Sequence, residues 1–381
     1  MAVDMTTQSI AVGDNWVKVG NDYVGDKPNG GTSGDTSGGD AALGWSAPSG
    51  IAQGSSVSLT TDGTNPFGTG PTNVVYESYA NGALGSDVDL ANTIFDDTVM
   101  GHAVRATRVS DSRSGDFAAS IFKETAIDSW RATSLEYNFT PTTEVFISHA
   151  AKIPSGANFP GNDGGNSGTD ADYSFDSSWK VGWLTDGDTV NANDVCLPTH
   201  TGSGIWQVAG NDLNPAFYNS GTNPTWWKWG QWHRFSTFFK AGATPNVDTG
   251  NFYFQVANGQ EALTEISTTP VVFGNGTAPY QWSEFRVSGY ARPRSDQGGV
   301  VILSDDVYIS TGTNAAARVE LGDNATYSSC TDLHIQYVTP ANWATGQLDF
   351  NIDYGPFNPS APLWYHITLE DNSTRYSVRA N

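Results

Sequence analysis

An all-β fold follows from three features of this 381-residue chain. Gly (42 residues) and aromatics (12%) are abundant while charged residues make up only 15%, a balance that suits short strands joined by turns. No stretch of ten residues sustains a helical period free of Gly, Pro or clustered β-branched residues. From Val74 onward, alternating segments recur between turn residues, as in a two-sheet jelly roll.

The elements follow in order. Residues 9–24, SIAVGDNWVKVGNDYV, alternate well enough for one or two short strands, and DKPNGGTSGDTSGGDAALG is turn and linker composition. One strand is expected at SSVSLTT. Residues 1–72 therefore read as N-terminal anchor strands plus a Gly/Ser-rich linker, in which residues 25–50 bury too little surface to order alone. The dense part, 73–317, runs through NVVYESYANGALGS, GHAVRATRVS, SLEYNFTPTTEVFISHAAKIP, SSWKVGWLTDG, WHRFSTFFKAG, GNFYFQVANGQ, YQWSEFRVSGY and GGVVILSDDVYIS. Connection lengths make these strands mostly antiparallel. Residues 318–381, with strands near DLHIQYV, GQLDFNIDYG and PLWYHITLE, have the size of a small Ig-like β-domain.

Four of these segments, WHRFSTFFKAG, GNFYFQVANGQ, QWSEFRVSGYARP and VVILSDDVYIS, resemble in their order the concanavalin A-like (laminin G-like) jelly roll. A Trp-initiated strand leads to one ending in an Asn-Gly turn and later to an Asp-Asp-Val-Tyr strand. The resemblance spans roughly 73–312, and the following ARVELGD is similar to the tail of such modules in bacteriophage virion and marine bacterial surface proteins. It implies a concanavalin A-like sandwich in which the Trp opening its strand, here Trp232, is buried between sheets. It also implies a concave sheet on which glycans lie.

Charge narrows the function. A net charge of −22 and 18 scattered Lys and Arg exclude phosphate-backbone binding, so no nucleic acid is expected. No apolar run reaches membrane-spanning length, and MAVDMTTQSIAVGDN shows no secretory signal. The surface chemistry nevertheless suits an extracellular or virion-surface setting. Cys196 and Cys330 are expected as free thiols, with one long-range disulfide as the alternative.

The segment PTWWKWGQWHRFSTFFKAG holds four tryptophans in seven positions. Alternation puts Trp227 and Trp229 on one face. It puts His233, Phe235, Thr237 and Phe239 on one side of the next strand, with Arg234, Ser236, Phe238 and Lys240 on the other. Trp232 is expected in the core, while Trp226, Trp227 and Trp229 either pack at its rim or form a stacking platform. Tyr253 and Gln255 oppose Phe252, Phe254 and Val256, and Trp282, Glu284, Arg286 and Tyr290 oppose Phe285 and Val287. Trp227, Trp229, Arg234, Tyr253, Gln255, Glu284, Arg286 and Tyr290 together would make a carbohydrate groove. The alternative is that they are ordinary solvated positions.

For metal, FPGNDGGNSGTDADYSFD sets Asp163, Asp170, Asp172 and Asp176 in a Gly-rich loop whose hard oxygens suit calcium, or which is a plain acidic surface loop. Asp305 and Asp306 are a second candidate pair. No Glu-x-Asp-x-Glu strand, H-E-x-x-H or Gly-x-Ser-x-Gly is present. FFKAG resembles the Tyr-Phe-Lys-Ala-Gly of jelly-roll alginate lyases, but their other motifs are missing. The sequence thus predicts a non-enzymatic virion surface protein, a tail fibre or head decoration that binds host glycan. Its N-terminal segment would join other virion subunits, and it would form a homo-oligomer, most simply a trimer. A polysaccharide-degrading lyase or glycosidase is the alternative, and a purely structural assembly module the third reading.

Overall fold

The computed structural model describes residues 8–12, 16–19, 22–25, 52–61, 67–88, 106–123, 135–153, 179–185, 195–200, 205–210, 218–222, 224–243, 250–271, 281–287, 300–344, 347–373 and 375–380. Its described elements are strands and two three-residue 3-10 turns, and no helix among them is long and apolar enough to cross a membrane. The chain divides into two compact units: Glu77–Asn258 with Thr264–Val307, and Met1–Tyr76 with Gly259–Leu263 and Tyr308–Asn381.

The first unit is a two-sheet jelly-roll sandwich. One sheet orders its described strands as Thr264–Val271, Gly250–Ala257, Trp232–Lys240, Glu144–Lys152, Val300–Thr311, Ala118–Lys123 and Ala106–Val109. The other runs Tyr218–Thr222, Ile205–Gly210, Val195–His200, Gly182–Thr185, Trp282–Val287 and Leu135–Thr142. Period-2 alternation decides what lies between them: Phe235, Phe239, Phe252 and Phe254 are buried on the inner face of one sheet and Leu184 and Phe285 on that of the other. Phe239 meets Trp282 with ring centroids 5.6 Å apart. Gly182 is crowded from its own sheet and from the facing one: an added Cβ would come within 2.7 Å of the Leu197 carbonyl on the neighbouring strand and 3.1 Å of the His149 ring across the layer. Only glycine fits that approach.

An imidazole without polar partners sits in this apolar layer. His149 is in register with Phe235 and lies 5.3 Å from the ring of Phe285. Neither of its nitrogens meets a hydrogen-bond partner, and burial lowers its pKa to about 3.

Strand pairing draws the second unit differently from the sequence segments 1–72 and 318–381. Gln8–Val12 pairs in parallel with Ser56–Thr61, which pairs in turn with Gln347–Asn351. Asp22–Gly25 pairs in parallel with Arg375–Arg379. N- and C-terminal strands thereby share a four-stranded and a six-stranded sheet. Val57, Leu348 and Phe350 from the first sheet and Val319, Tyr365 and Ile367 from the second belong to one core. Most of the linker, 26–51, lies outside the described residues.

Candidate functional site

The aromatic segment is built inward. Trp226 is the buried one, 5% exposed, with edge-on ring contacts to Trp227, His233 and Phe235. Trp232, expected in the core, is only half-buried and lies under the Lys152 ammonium at 6.0 Å. The reason is strand parity. Trp232 shares a face with Arg234 and Ser236, whereas His233 and Phe235 point between the sheets. The Trp226 loop folds over that inner edge.

Trp227 stacks on His233 at 4.4 Å and 22°, and Trp229 meets Trp227 edge-on at 5.3 Å. His233 Nε2 lies 3.0 Å from the Lys228 backbone nitrogen and 3.1 Å from the Trp226 carbonyl, and its Nδ1 lies 3.0 Å from the Gln231 carbonyl. Asn258 Nδ2 supplies the Trp226 carbonyl at 2.9 Å. Burial lowers the His233 pKa to about 4, so the ring is neutral. One face of Trp227 is thus taken by His233, while Trp227 and Trp229 stay partly exposed beside the buried Trp226.

The proposed groove residues divide between two outer faces. On the sheet that carries Trp232–Lys240, a polar row crosses four adjacent strands in register: Ser148, Ser236, Gln255 and Glu265. Arg234 and Tyr253 flank it on the same face. Arg234 Nε donates to Ser148 Oγ (2.7 Å), Ser236 Oγ to Ser148 Oγ (3.2 Å), and the Tyr253 hydroxyl to Glu265 Oε1 (2.7 Å). Ser148, Ser236 and Gln255 are buried, and Glu265 is half-buried, so the row reaches solvent at the edge strand. Lys240, from FFKAG, lies on this face and pairs with Glu144 at 2.6 Å.

Glu284 and Arg286 occupy the outer face of the other sheet. Arg286 Nε lies 3.1 Å from Glu136 Oε1, it is bonded to Glu284, and its guanidinium stands 5.5 Å from the centre of the Trp183 ring. Trp282, expected beside them, is turned into the core: a register shift between Trp282 and Glu284 breaks the alternation there. Tyr290 lies outside the described residues. Among the described candidates, Arg234, Tyr253 and Gln255 therefore share one outer face and Glu284 and Arg286 the other. Sequence reasoning missed Ser148, Glu265 and Trp183. Parity along EVFISHAAK places Ser148 on a common face with Phe146 and Ala150, but which strand would lie beside it is not a local property.

Asp163, Asp170, Asp172 and Asp176 all lie outside the described residues. Asp305 and Asp306 are spoken for by their own chain. Asp305 Oδ2 accepts the Arg113 and Ser114 N–H groups (2.8 and 3.0 Å), and Asp306 pairs with Arg113 Nη1 at 2.8 Å and bonds Ser114 Oγ. Burial, and then the Asp306 charge, push the Asp305 pKa up. Among the described residues no three His, Cys, Asp or Glu side chains converge as a metal site.

One constellation looks nucleophilic and is not. Cys330 Sγ lies 3.4 Å from His366 Nε2, and His366 Nδ1 lies 2.7 Å from Ser377 Oγ. Cys330 is a free, fully buried thiol whose pKa burial pushes far up, and burial lowers that of His366 to about 4. No thiolate forms there near neutral pH.

No family model matches the sequence, and no curated protein matches it. Solved structures similar to it include alginate lyase Aly36B, 13% identical over 64% of this chain and 98% of that one, TM-score 0.41. The marine PL-14 alginate lyase from Aplysia kurodai is 10% identical over 54% of this chain and 87% of that one, TM-score 0.37. The cellulose induced protein Cip1 is 7% identical over 62% and 97%, TM-score 0.40. Likeness at this level assigns no activity to the chain.

Proposed function

We propose that the larger sandwich binds a polysaccharide at the edge of the sheet that carries Trp232–Lys240, where the polar row reaches solvent at Glu265. One observation carries the reading: Ser148, Ser236, Gln255 and Glu265 stand in register across four strands, flanked by Arg234 and Tyr253. Burying polar side chains on the outer face of a sheet costs free energy that an apolar set would not. Such a row is maintained when its donors and acceptors serve a polar partner. At that edge the Glu265 carboxylate, oriented by the Tyr253 hydroxyl, offers acceptors to the repeating hydroxyls of a sugar chain. Setting, whether virion or secreted, does not enter this reading.

Cleavage of the bound polymer is a second reading, favoured by the phenol–carboxylate pair Tyr253–Glu265 at 2.7 Å, a route for a proton within the row. A polymer panel tests both. Binding predicts retention by at least one polysaccharide that Glu265→Ala weakens about tenfold, the loss of a hydrogen-bonded contact. Retention unchanged in Glu265→Ala overturns it. A rise in unsaturated-uronate absorbance, lost in Tyr253→Phe, moves the assignment to the lyase reading.

A further inference from the structure

The second unit carries an open cavity of about 590 Å3 on the outer face of its four-stranded sheet, lined by Ser56, Ser58, Tyr337, Gln347, Asp349 and Asn351 among others. Register explains its chemistry. Asp349 pairs with Ser58 and Asn351 with Ser56, so alternation turns these polar groups outward while Leu59, Leu348, Val57 and Phe350 turn into the core. The planar groups are already oriented: Gln347 Nε2 donates to both Asp349 oxygens (2.9 and 2.8 Å), and Ser56 Oγ donates to Asn351 Oδ1 (3.1 Å).

One wall is aromatic. Tyr337 is 41% exposed, one of two large exposed apolar side chains among the described residues. Its ring stacks on Tyr76 (5.8 Å, 22°), and Tyr76 is held in turn by its hydroxyl, which donates to Asp353 Oδ2 at 3.2 Å. Asp353 also receives Gln53 Nε2 at 2.8 Å and lies 3.1 Å from His334 Nε2. Burial would raise the Asp353 pKa, but the contact with His334 and the hydrogen bonds from Gln53 and the Gly355 N–H outweigh it and hold the group ionised. The platform is thus braced from behind before any ligand arrives.

We infer that this cavity is a separate binding site for a neutral polysaccharide chain. A braced, exposed ring offers its face to the apolar side of a pyranose, while the amide and carboxylate groups beside it meet equatorial hydroxyls. The ligand is neutral because no Lys or Arg lines the cavity, Asp349 is a carboxylate, and the chain carries a net charge of −22. The inference does not rest on the polar row of the larger sandwich.

The test is native electrophoresis of the intact chain through gels containing a β-glucan, a glucomannan, a xylan or a galactan, with alginate as the anionic comparison. At least one neutral polymer should retard the wild type. Tyr337→Ala should weaken that retardation about tenfold, the worth of one stacking contact, and Gln347→Ala with Asn351→Ala should weaken it similarly. These are surface positions, and a melting temperature equal to the wild type's identifies folded variants. Glu265→Ala should leave it intact, which separates this site from the row on the larger sandwich. No retardation by any neutral polymer, or retardation that Tyr337→Ala leaves unchanged, overturns the inference. Loss in Glu265→Ala alone overturns it too while supporting the other site.

Discussion

Single side chains in this protein are decided by desolvation. Trp226 is enclosed by Trp227, His233 and Phe235, so Trp226→Ala should destabilise by about 3–5 kcal/mol, as for a buried large aromatic. Trp232→Ala, at a half-buried position, should cost distinctly less; urea denaturation gives the ranking. His149 makes a pH prediction. Its folded pKa is about 3 against 6.5 for the unenclosed ring, so between these values the unfolded chain binds the proton and the folded one does not. Stability is full above pH 6.5 and falls as pH drops toward 3. His233 and His366, each lowered to about 4, act in the same direction. Melting temperatures from pH 7 to 4 should fall less steeply in His149→Leu. Falling net charge acts on both proteins alike, so equal slopes would show that His149 does not contribute.

At the scale of elements, the turn at Ser112–Gly115 is tied to the strand Val300–Thr311 by two carboxylates. Asp305 takes two backbone N–H groups and Asp306, at φ 49°, takes Arg113. Asp tolerates that left-handed backbone better than most residues. Asp305→Ala leaves two buried N–H groups without their acceptor and should cost about 2–4 kcal/mol. Asp305→Asn, which keeps a carbonyl oxygen, should cost less, and denaturation curves of the two variants test the order. The same scale explains Trp282. Alternation predicts it beside Glu284, and one register shift sends it inward.

Across the molecule, the first 25 residues contribute to the smaller unit's own sheets. Deleting them removes Gln8–Val12 from one sheet and both Trp16–Val19 and Asp22–Gly25 from the other. The newly exposed edges, Ser56–Thr61 and Arg375–Arg379, would invite association. The truncated chain should therefore melt lower than the full chain and self-associate on sizing columns. An unchanged melt and elution volume would show that these strands add nothing to the fold.

Much of this was legible locally. The all-β class, the strands at Trp232–Lys240 and Gly250–Ala257, and the inward set Phe235, Phe239, Phe252 and Phe254 all follow from composition and a period of two, which neighbouring residues alone impose. Polar residues on the opposite face, Arg234, Tyr253 and Gln255, were readable by the same parity. Partnership was not. A strand's neighbour is set by long-range pairing that no local pattern encodes, so Ser148 and Glu265 joined Gln255 only once their strands lay beside it. For the same reason Glu284 and Arg286 went to the other sheet, away from Arg234. Tertiary structure also chose Trp226 over Trp232 for burial, because a loop can fold over a sheet edge while a strand residue must keep its face. And it joined the strands before residue 61 to those after residue 318, since hydrogen-bonding edges are satisfied by whichever strand the fold brings alongside.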